Sequence, residues 1–285
     1  MLNPLLNLSV LMILGLSSVF TSIPKGQSLE QDTAVQLSQT RLQADSLSHQ
    51  NDLAMQTNPF NLDQSQFSIP IIISCIGDSL TAGYPYEGTT DTYPRQLQIL
   101  LDTQYGEGVF EVINRGVSGY RADQILDDIQ SEGWLLQDQA DVILLLAGGN
   151  DLAQEYPIKG IKAVDDTVAE MQAIVDLIKA HSNNDGSTPE VILSAVPPNL
   201  IEDFWGSLLV DYYNAKLEEQ IENIDIWFTS NWDDFYDTET GKAKVEWMSD
   251  LVHLNEAGYQ VMAQNWFEKI KIGYFFKQYL PLVLQ

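Results

Sequence analysis

From residue 71 onward, short apolar runs alternate with longer stretches in which apolar residues recur every three or four positions. Runs of five or six β-branched and other apolar residues are typical of buried strands. A three- and four-residue recurrence, clearest over Ile161–Ala180, predicts amphipathic helices. Strands that alternate with helices predict a parallel sheet covered on both faces, which is an α/β/α three-layer fold.

The sequence predicts five strands and five main helices in this region. The predicted strands are Ile71–Ile76, Phe110–Asn114, Val142–Ala147, Val191–Val196 and Ile224–Phe228. The predicted helices are Tyr93–Gln104, Arg121–Gln130, Ile161–Ala180, Leu208–Ile221 and a last one that begins near Asn255, a helix-capping residue type. We therefore expect one globular domain over residues 70–285, a length that can bury one sizeable core.

Two segments of different composition precede this domain. Residues 1–22 contain no charged side chain, and Leu5 to Phe20 are almost wholly apolar. The length of this apolar run suits a signal peptide better than a membrane span. Residues 23–69 are rich in Gln, Ser, Asp and Asn and predict a flexible linker. We expect a secreted or otherwise extracytoplasmic protein; an uncleaved N-terminal membrane anchor and an intracellular location are the alternatives.

Composition excludes several classes of partner and site. A formal charge of −26 and a pI near 4.1 argue against nucleic acid and anionic membrane surfaces as partners. Cys75 is the only cysteine, so no intrachain disulfide forms, and its apolar surroundings predict a buried small side chain. The three histidines have no His or Cys neighbours at ligand spacing, so we expect no metal.

Polar or glycine-rich segments adjoin the predicted elements at four places. Active sites of parallel sheets lie outside the carboxyl ends of the strands, and three of these segments follow a strand. They are Gly77-Asp78-Ser79-Leu80, Asn114-Arg115-Gly116-Val117-Ser118-Gly119, Gly148-Gly149-Asn150-Asp151 and, before the last helix, Asp250-Leu251-Val252-His253.

The side chains in these segments have complementary chemistry. A serine hydroxyl needs a base to become a nucleophile, and His253 is a candidate base for Ser79, with Asp250 to hold the imidazole tautomer. Negative charge that develops on a carbonyl oxygen needs donors in place. The backbone N–H groups of Ser79 and Gly116 and the Asn150 amide are the candidates. Gly116 has no Cβ, and we expect this to let its backbone approach the substrate.

Several neighbouring residues have simpler interpretations. Ser118 is a rival hydroxyl, although hydrogen bonding within its loop fits it better. We expect Asp78 to hold its turn through backbone N–H groups and Asp151 to cap the turn or helix that follows it. Phe204-Trp205 is a candidate wall of an acyl pocket, and the apolar tail Tyr274–Leu284 is expected to pack on the domain.

The four segments, in this order, resemble the GDSL/SGNH hydrolase family. The hallmark Ser, Gly, Asn and His of that family are matched by Ser79, Gly116, Asn150 and His253, and an Asp lies three residues before the His. The resemblance covers about residues 70–272 and implies a flavodoxin-like fold with a five-stranded parallel sheet. Residues 77–151 look most like the lysophospholipase/thioesterase-I-type and small-esterase branches.

The resemblance implies hydrolysis of carboxylic esters through a serine acyl-enzyme, without a cofactor. The substrate would be a small-molecule, lipid or carbohydrate ester, and the sequence does not choose among a lipid, a thioester and an acetylated sugar. An acyltransferase that uses the same site is an alternative function. A non-catalytic binding module on this fold is a further alternative, disfavoured by the intact set of Ser79, Asn150, Asp250 and His253.

Overall fold

The structure is a computed structural model that describes residues 70–202 and 206–270. Four predictions therefore lie outside the described residues. These concern the signal peptide (1–22), the linker (23–69), the pair Phe204-Trp205 and the tail Tyr274–Leu284.

A five-stranded, wholly parallel sheet forms the centre of the domain. Its strand order is β2-β1-β3-β4-β5, and its strands are β1 (Ile71–Gly77), β2 (Phe110–Gly116), β3 (Val142–Leu146), β4 (Glu190–Ser194) and β5 (Ile226–Phe228). Every residue of β3 is buried, as expected for a parallel strand covered on both faces. The predicted α/β fold and strand number are confirmed.

Helices cover both faces of this sheet. They are α1 (Ser79–Ala82), α2 (Tyr93–Tyr105), α3 (Ala122–Ser131), α4 (Trp134–Asp138), α5 (Gly149–Lys159), α6 (Lys162–Ala180), α7 (Ser207–Gln220), α8 (Ser230–Asp233) and α9 (Glu256–Ile270). A small antiparallel hairpin, β6 (Tyr236–Asp237) and β7 (Lys242–Ala243), and a 3₁₀ turn over Val245–Trp247 precede α9.

The direction of the crossovers assigns the helices to two layers. The chain moves from β1 to β2 in one direction and from β2 through β3 and β4 to β5 in the other. Because such crossovers are right-handed, the connecting helices of the two halves lie on opposite faces. Accordingly α2 packs against α9, whereas α6 packs against α3, α5 and α7.

Local sequence accounts for most of these elements. In α6 the buried side chains recur at helical spacing, from Val164 and Val168 through Met171, Val175 and Ile178. Before α9, the Asn255 side chain accepts the backbone N–H of Gly258 at 2.9 Å, so the predicted cap is confirmed. Cys75 is buried, also as predicted.

The sequence prediction missed four of the nine described helices, namely α1, α4, α5 and α8, and the small hairpin of β6 and β7. It also ended β2 two residues too early. Helix α5 begins at Gly149 and contains Pro157, two residue types that normally argue against a helix interior. Strand β2 continues through Arg115 to Gly116, so Gly116 pairs with Gly77 of β1 instead of lying in the following loop.

None of the described helices is both long and apolar enough to cross a membrane.

A group of three carboxylates lies where α3, α5 and α6 meet. One oxygen each of Asp123, Asp151 and Glu170 lies within 4.8 Å of the others, and Asp151 is only 1% exposed. Burial raises the pKa of Asp151 to about 6, although the hydrogen bond from the backbone N–H of Ala122 opposes this rise. Burial and then the two neighbouring carboxylates raise the pKa of Glu170 to about 7. The ionised forms of Asp151 and Glu170 therefore oppose folding at neutral pH. The expected absence of a metal stays a prediction.

We predict that Glu170→Gln stabilises the domain at pH 8 and leaves it unchanged at pH 5. A carboxyl whose pKa is raised by folding favours the folded state at low pH, and this contribution is lost as the pH rises through about 7. Glu170 is half-buried, so water weakens the repulsion. We expect thermal denaturation at pH 8 to give a Tm about 2 °C higher than that of the unchanged protein.

Glu219→Gln is the matched control, because Glu219 is largely exposed beside Lys216. It should not change the pH dependence of the Tm. If the Tm of Glu170→Gln rises as much at pH 5 as at pH 8, or falls at pH 8, the ionised Glu170 carboxylate does not destabilise the domain.

Candidate active site

The two central strands define the position of the site. Strand order reverses between β1 and β3, because the chain leaves β1 toward β2 and leaves β3 toward β4. The connections therefore diverge and leave a crevice at the carboxyl ends of these strands. Ser79 follows β1 by two residues, and Asn150 lies in the first turn of the helix after β3.

Ser79 is held at the start of the short helix α1. Asp78 is the N-cap of α1, and its Oδ1 accepts the backbone N–H of Leu80 at 3.0 Å. Gly83 closes the turn by donating its N–H to the Ser79 carbonyl at 2.8 Å. The serine is therefore fixed on both sides, and the turn-holding role predicted for Asp78 is confirmed.

Ser79, His253 and Asp250 form a continuous hydrogen-bonded chain. Nε2 of His253 lies 3.1 Å from Oγ of Ser79, across 174 residues of sequence. Nδ1 of the same ring lies 2.8 Å from Oδ2 of Asp250. Both separations are within hydrogen-bond reach for a nucleophile, a base and a group that orients the base.

The turn that carries Asp250 and His253 is fixed by its own hydrogen bonds. Oδ1 of Asp250 accepts the backbone N–H groups of Val252 at 2.8 Å and His253 at 2.7 Å, and this leaves Oδ2 for the imidazole. Partial burial opposes ionisation of Asp250, but these two N–H groups and the His253 ring outweigh it and lower the pKa of the carboxyl. Asp250 is thus an anion whose Oδ2 can accept a hydrogen bond from an Nδ1–H of His253.

An aromatic ring lies against the imidazole. The centroid of the Tyr84 ring is 4.5 Å from that of His253, and the two planes are tilted by 52°. The backbone of Tyr84 is anchored at two points. Its N–H donates to the Ser79 carbonyl at 3.0 Å, and its carbonyl accepts the Tyr259 hydroxyl at 2.7 Å.

The role predicted for Gly116 needs correction. Its N–H donates to Oδ1 of Asn114 at 2.8 Å and so is not free for a substrate oxygen. A Cβ on Gly116 would lie 2.0 Å from the backbone N of Ala82. The absent side chain therefore lets β2 pack against α1, which carries Ser79.

Gly119, three residues further on, is a candidate donor that the sequence analysis did not single out. It has a φ of +85°, and a Cβ there would meet nothing within 4 Å. Within the described part of the chain, its N–H has no acceptor, and the same holds for the N–H of Ser79. The sequence carried no periodic signal for a strand that reaches Gly116, because Val112 and Ile113 are both apolar and Asn114 and Arg115 are both polar.

Asn150 faces the loop that contains Gly119. Its Nδ2 donates one hydrogen bond to the carbonyl of Tyr120 at 2.9 Å, and this orients the amide and leaves its second N–H available. Asp151 caps a different helix from the one predicted. Both its oxygens accept the N–H of Ala122, at 3.0 and 3.1 Å, at the start of α3 instead of its own helix. The two loops are thereby tied together.

Ser118 and Asp78 remain outside the hydrogen-bonded chain. Oγ of Ser118 donates to Oε1 of Glu87 at 2.8 Å, so its hydrogen bond joins two loops instead of lying within its own loop as expected. Asp78 is 4% exposed. Burial raises the pKa of its carboxyl to about 6, although the Leu80 N–H and the charge of His253 oppose the rise.

The domain is similar to several solved esterase and lipase structures. A lipase from a goat rumen metagenome is 18% identical with a TM-score of 0.57, over 69% of this chain and 95% of that one. An acetylxylan esterase from Geobacillus stearothermophilus, solved as a catalytic mutant, is 18% identical with a TM-score of 0.55, over 71% and 94%. A carbohydrate acetylesterase family member from Sinorhizobium meliloti is 18% identical with a TM-score of 0.53, over 70% and 97%. At this level of identity the likeness shows the fold.

A comparison with curated proteins gave no matching sequence. The model of the GDSL-like lipase/acylhydrolase family matches residues 75–261, a range that contains all four segments singled out in the sequence. The chain therefore belongs to the GDSL-like lipase/acylhydrolase family and is a carboxylic ester hydrolase.

Proposed function

We propose that the protein is a serine esterase in which Ser79, His253 and Asp250 form a catalytic triad. One observation carries the proposal. A single imidazole lies 3.1 Å from the Ser79 hydroxyl and 2.8 Å from the Asp250 carboxylate. This arrangement lets the imidazole remove the serine proton while the carboxylate stabilises the resulting imidazolium.

In the acylation step, Nε2 of His253 takes the Ser79 proton as Oγ attacks the ester carbonyl carbon. The C–Oγ bond forms, and the carbonyl oxygen becomes an oxyanion. When the tetrahedral intermediate collapses, the bond to the alcohol oxygen breaks and His253 returns its proton to that oxygen. Asp250 remains ionised throughout and fixes the tautomer in which Nε2 is the acceptor.

Three donors are proposed for the oxyanion. They are the N–H of Ser79, the N–H of Gly119 and the free N–H of the Asn150 amide. Gly119 replaces Gly116, whose N–H is engaged by Asn114. Donors that are fixed before the reaction stabilise the developing charge without reorganising during it, and the hydrogen bond from Asn150 to Tyr120 supports such fixation.

Deacylation follows the same course with water as the nucleophile. His253 removes a proton from water, the hydroxide attacks the acyl carbon, and Ser79 leaves with the proton returned by His253. The products are a carboxylic acid and the regenerated serine. No cofactor is needed for this sequence of proton transfers. We propose carboxylic esters as the substrates, and assignment to a lysophospholipase or thioesterase branch stays a prediction.

We predict that Ser79→Ala lowers kcat for p-nitrophenyl acetate by at least about 10⁴-fold, because among the described residues Ser79 is the one whose hydroxyl is hydrogen-bonded to Nε2 of His253. The measurement is initial-rate hydrolysis, with circular dichroism to show that the fold is retained.

Ser118→Ala is the matched control. This hydroxyl lies in the adjoining loop and contacts Glu87 instead of a histidine, so its removal should leave the rate nearly unchanged. If Ser79→Ala retains activity and Ser118→Ala loses it, the nucleophile is Ser118 and not Ser79.

We predict that Asp250→Asn lowers kcat by at least about 100-fold. The amide can still accept the backbone N–H groups of Val252 and His253, but it presents N–H instead of oxygen to Nδ1 and favours the wrong imidazole tautomer. Steady-state kinetics with p-nitrophenyl acetate measure the loss. Unchanged kcat at neutral pH would remove Asp250 from the triad.

A further inference from the structure

The proposed mechanism fixes which part of an ester lies beside His253. The imidazole must reach the alcohol oxygen to return the proton that it took from Ser79. The three proposed oxyanion donors come from the segments that follow β1, β2 and β3, and none comes from the turn that carries His253. The alcohol part of the substrate therefore lies on the His253 side of the site, and the surface there selects the alcohol.

That surface includes an exposed aromatic ring at a fixed position. Tyr84 is 42% exposed although its ring lies 4.5 Å from the imidazole. Its backbone is held by Ser79 on one side and by the Tyr259 hydroxyl on the other. A ring fixed at its base, with much of its surface in water, is preorganised to contact a ligand without a large ordering cost.

The turn between Asp250 and His253 adds aliphatic side chains. Leu251 is 59% exposed and Val252 is 40% exposed. The backbone of this turn is also fixed, because the Leu251 carbonyl accepts the N–H of Leu200 at 2.8 Å. His253 is therefore preceded in sequence by two exposed aliphatic side chains and contacted in space by one exposed aromatic ring.

Positive charge is missing from both segments that carry these side chains. Residues 78–92, which include Tyr84, and residues 245–255, which include His253, contain no Lys or Arg. An alcohol that carries a phosphate would find no cationic partner in them, whereas an apolar alcohol would bury exposed apolar surface.

We propose that Tyr84, with Leu251 and Val252, forms the binding site for the alcohol part of the ester, and that the preferred substrates are esters of uncharged apolar or aromatic alcohols. The inference rests on the proposed function, because it uses His253 as the group that protonates the leaving oxygen. Tyr84 is a specificity-determining residue in this account.

The test compares acetates that differ only in their alcohol. We would measure kcat/KM for methyl, hexyl and benzyl acetate and for a methyl glucoside bearing one acetyl group. All four form the same acetyl-enzyme, so differences arise in acylation and report contacts with the alcohol. The unchanged protein should prefer hexyl and benzyl acetate to methyl acetate and to the acetylated glucoside.

Tyr84→Ala should lower the ratio of kcat/KM for benzyl acetate to that for methyl acetate by about tenfold. Tyr84→Phe, which keeps the ring, should preserve the ratio. Tyr212→Ala is the matched control: Tyr212 is 39% exposed but lies on α7 beside Lys216, and its loss should leave the ratio unchanged. If Tyr84→Ala does not fold, Tyr84→Leu takes its place and should lower the benzyl ratio more than the hexyl ratio.

Two results would overturn the inference while Ser79→Ala still abolishes hydrolysis. One is an equal loss for every acetate in Tyr84→Ala, which would mean that the ring only supports the imidazole. The other is an unchanged protein that hydrolyses the acetylated glucoside as well as benzyl acetate. Hydrolysis retained in Ser79→Ala would instead remove the proposed function itself, so the two failures are distinguishable.

Discussion

The parallel pairing of β1 with β3 is the constraint on which the site depends. Register brings Gly77 of β1 opposite Leu146 of β3, so the loops that carry Ser79 and Asn150 start at the same level of the sheet. The strands are buried because helices cover both faces, and burial prevents them from sliding. The proposed nucleophile and one proposed oxyanion donor are thus placed by the buried sheet.

The remaining groups reach this crevice through locally closed turns. Asp250 fixes its own turn by accepting two backbone N–H groups and retains one oxygen for His253. Asp151, buried at the base of the other loop, joins α5 to the start of α3. The same buried carboxylate lies in the repulsive group with Glu170. At neutral pH the charge of Asp151 therefore destabilises the domain, although the same carboxylate holds two loops of the site together. Such a conflict between stability and function is expected at functional sites.

The five strands of the sheet and five of the nine described helices could be predicted because each of them has a local sequence signal. The apolar run before Gly77 predicts β1, and the periodicity around Met171 predicts α6. The prediction failed where local signals conflict with tertiary packing. Pro157 argues against a helix that is present in the structure. Gly116, at the end of β2, was expected to approach the substrate, but it packs on Ala82. The contact of Tyr84 with His253 had no signal at all, because it joins residues 169 positions apart through the folded domain.

The central claim is that Ser79 is the nucleophile and that His253 activates it. Covalent labelling with a fluorophosphonate, followed by mass spectrometry of the digested protein, tests this most directly, since the reagent needs an activated serine but no particular substrate. The account predicts one adduct, on the peptide that contains Ser79, and a rate of labelling that falls sharply in His253→Ala. An adduct on Ser118, or labelling of Ser79 that His253→Ala leaves unchanged, would contradict it.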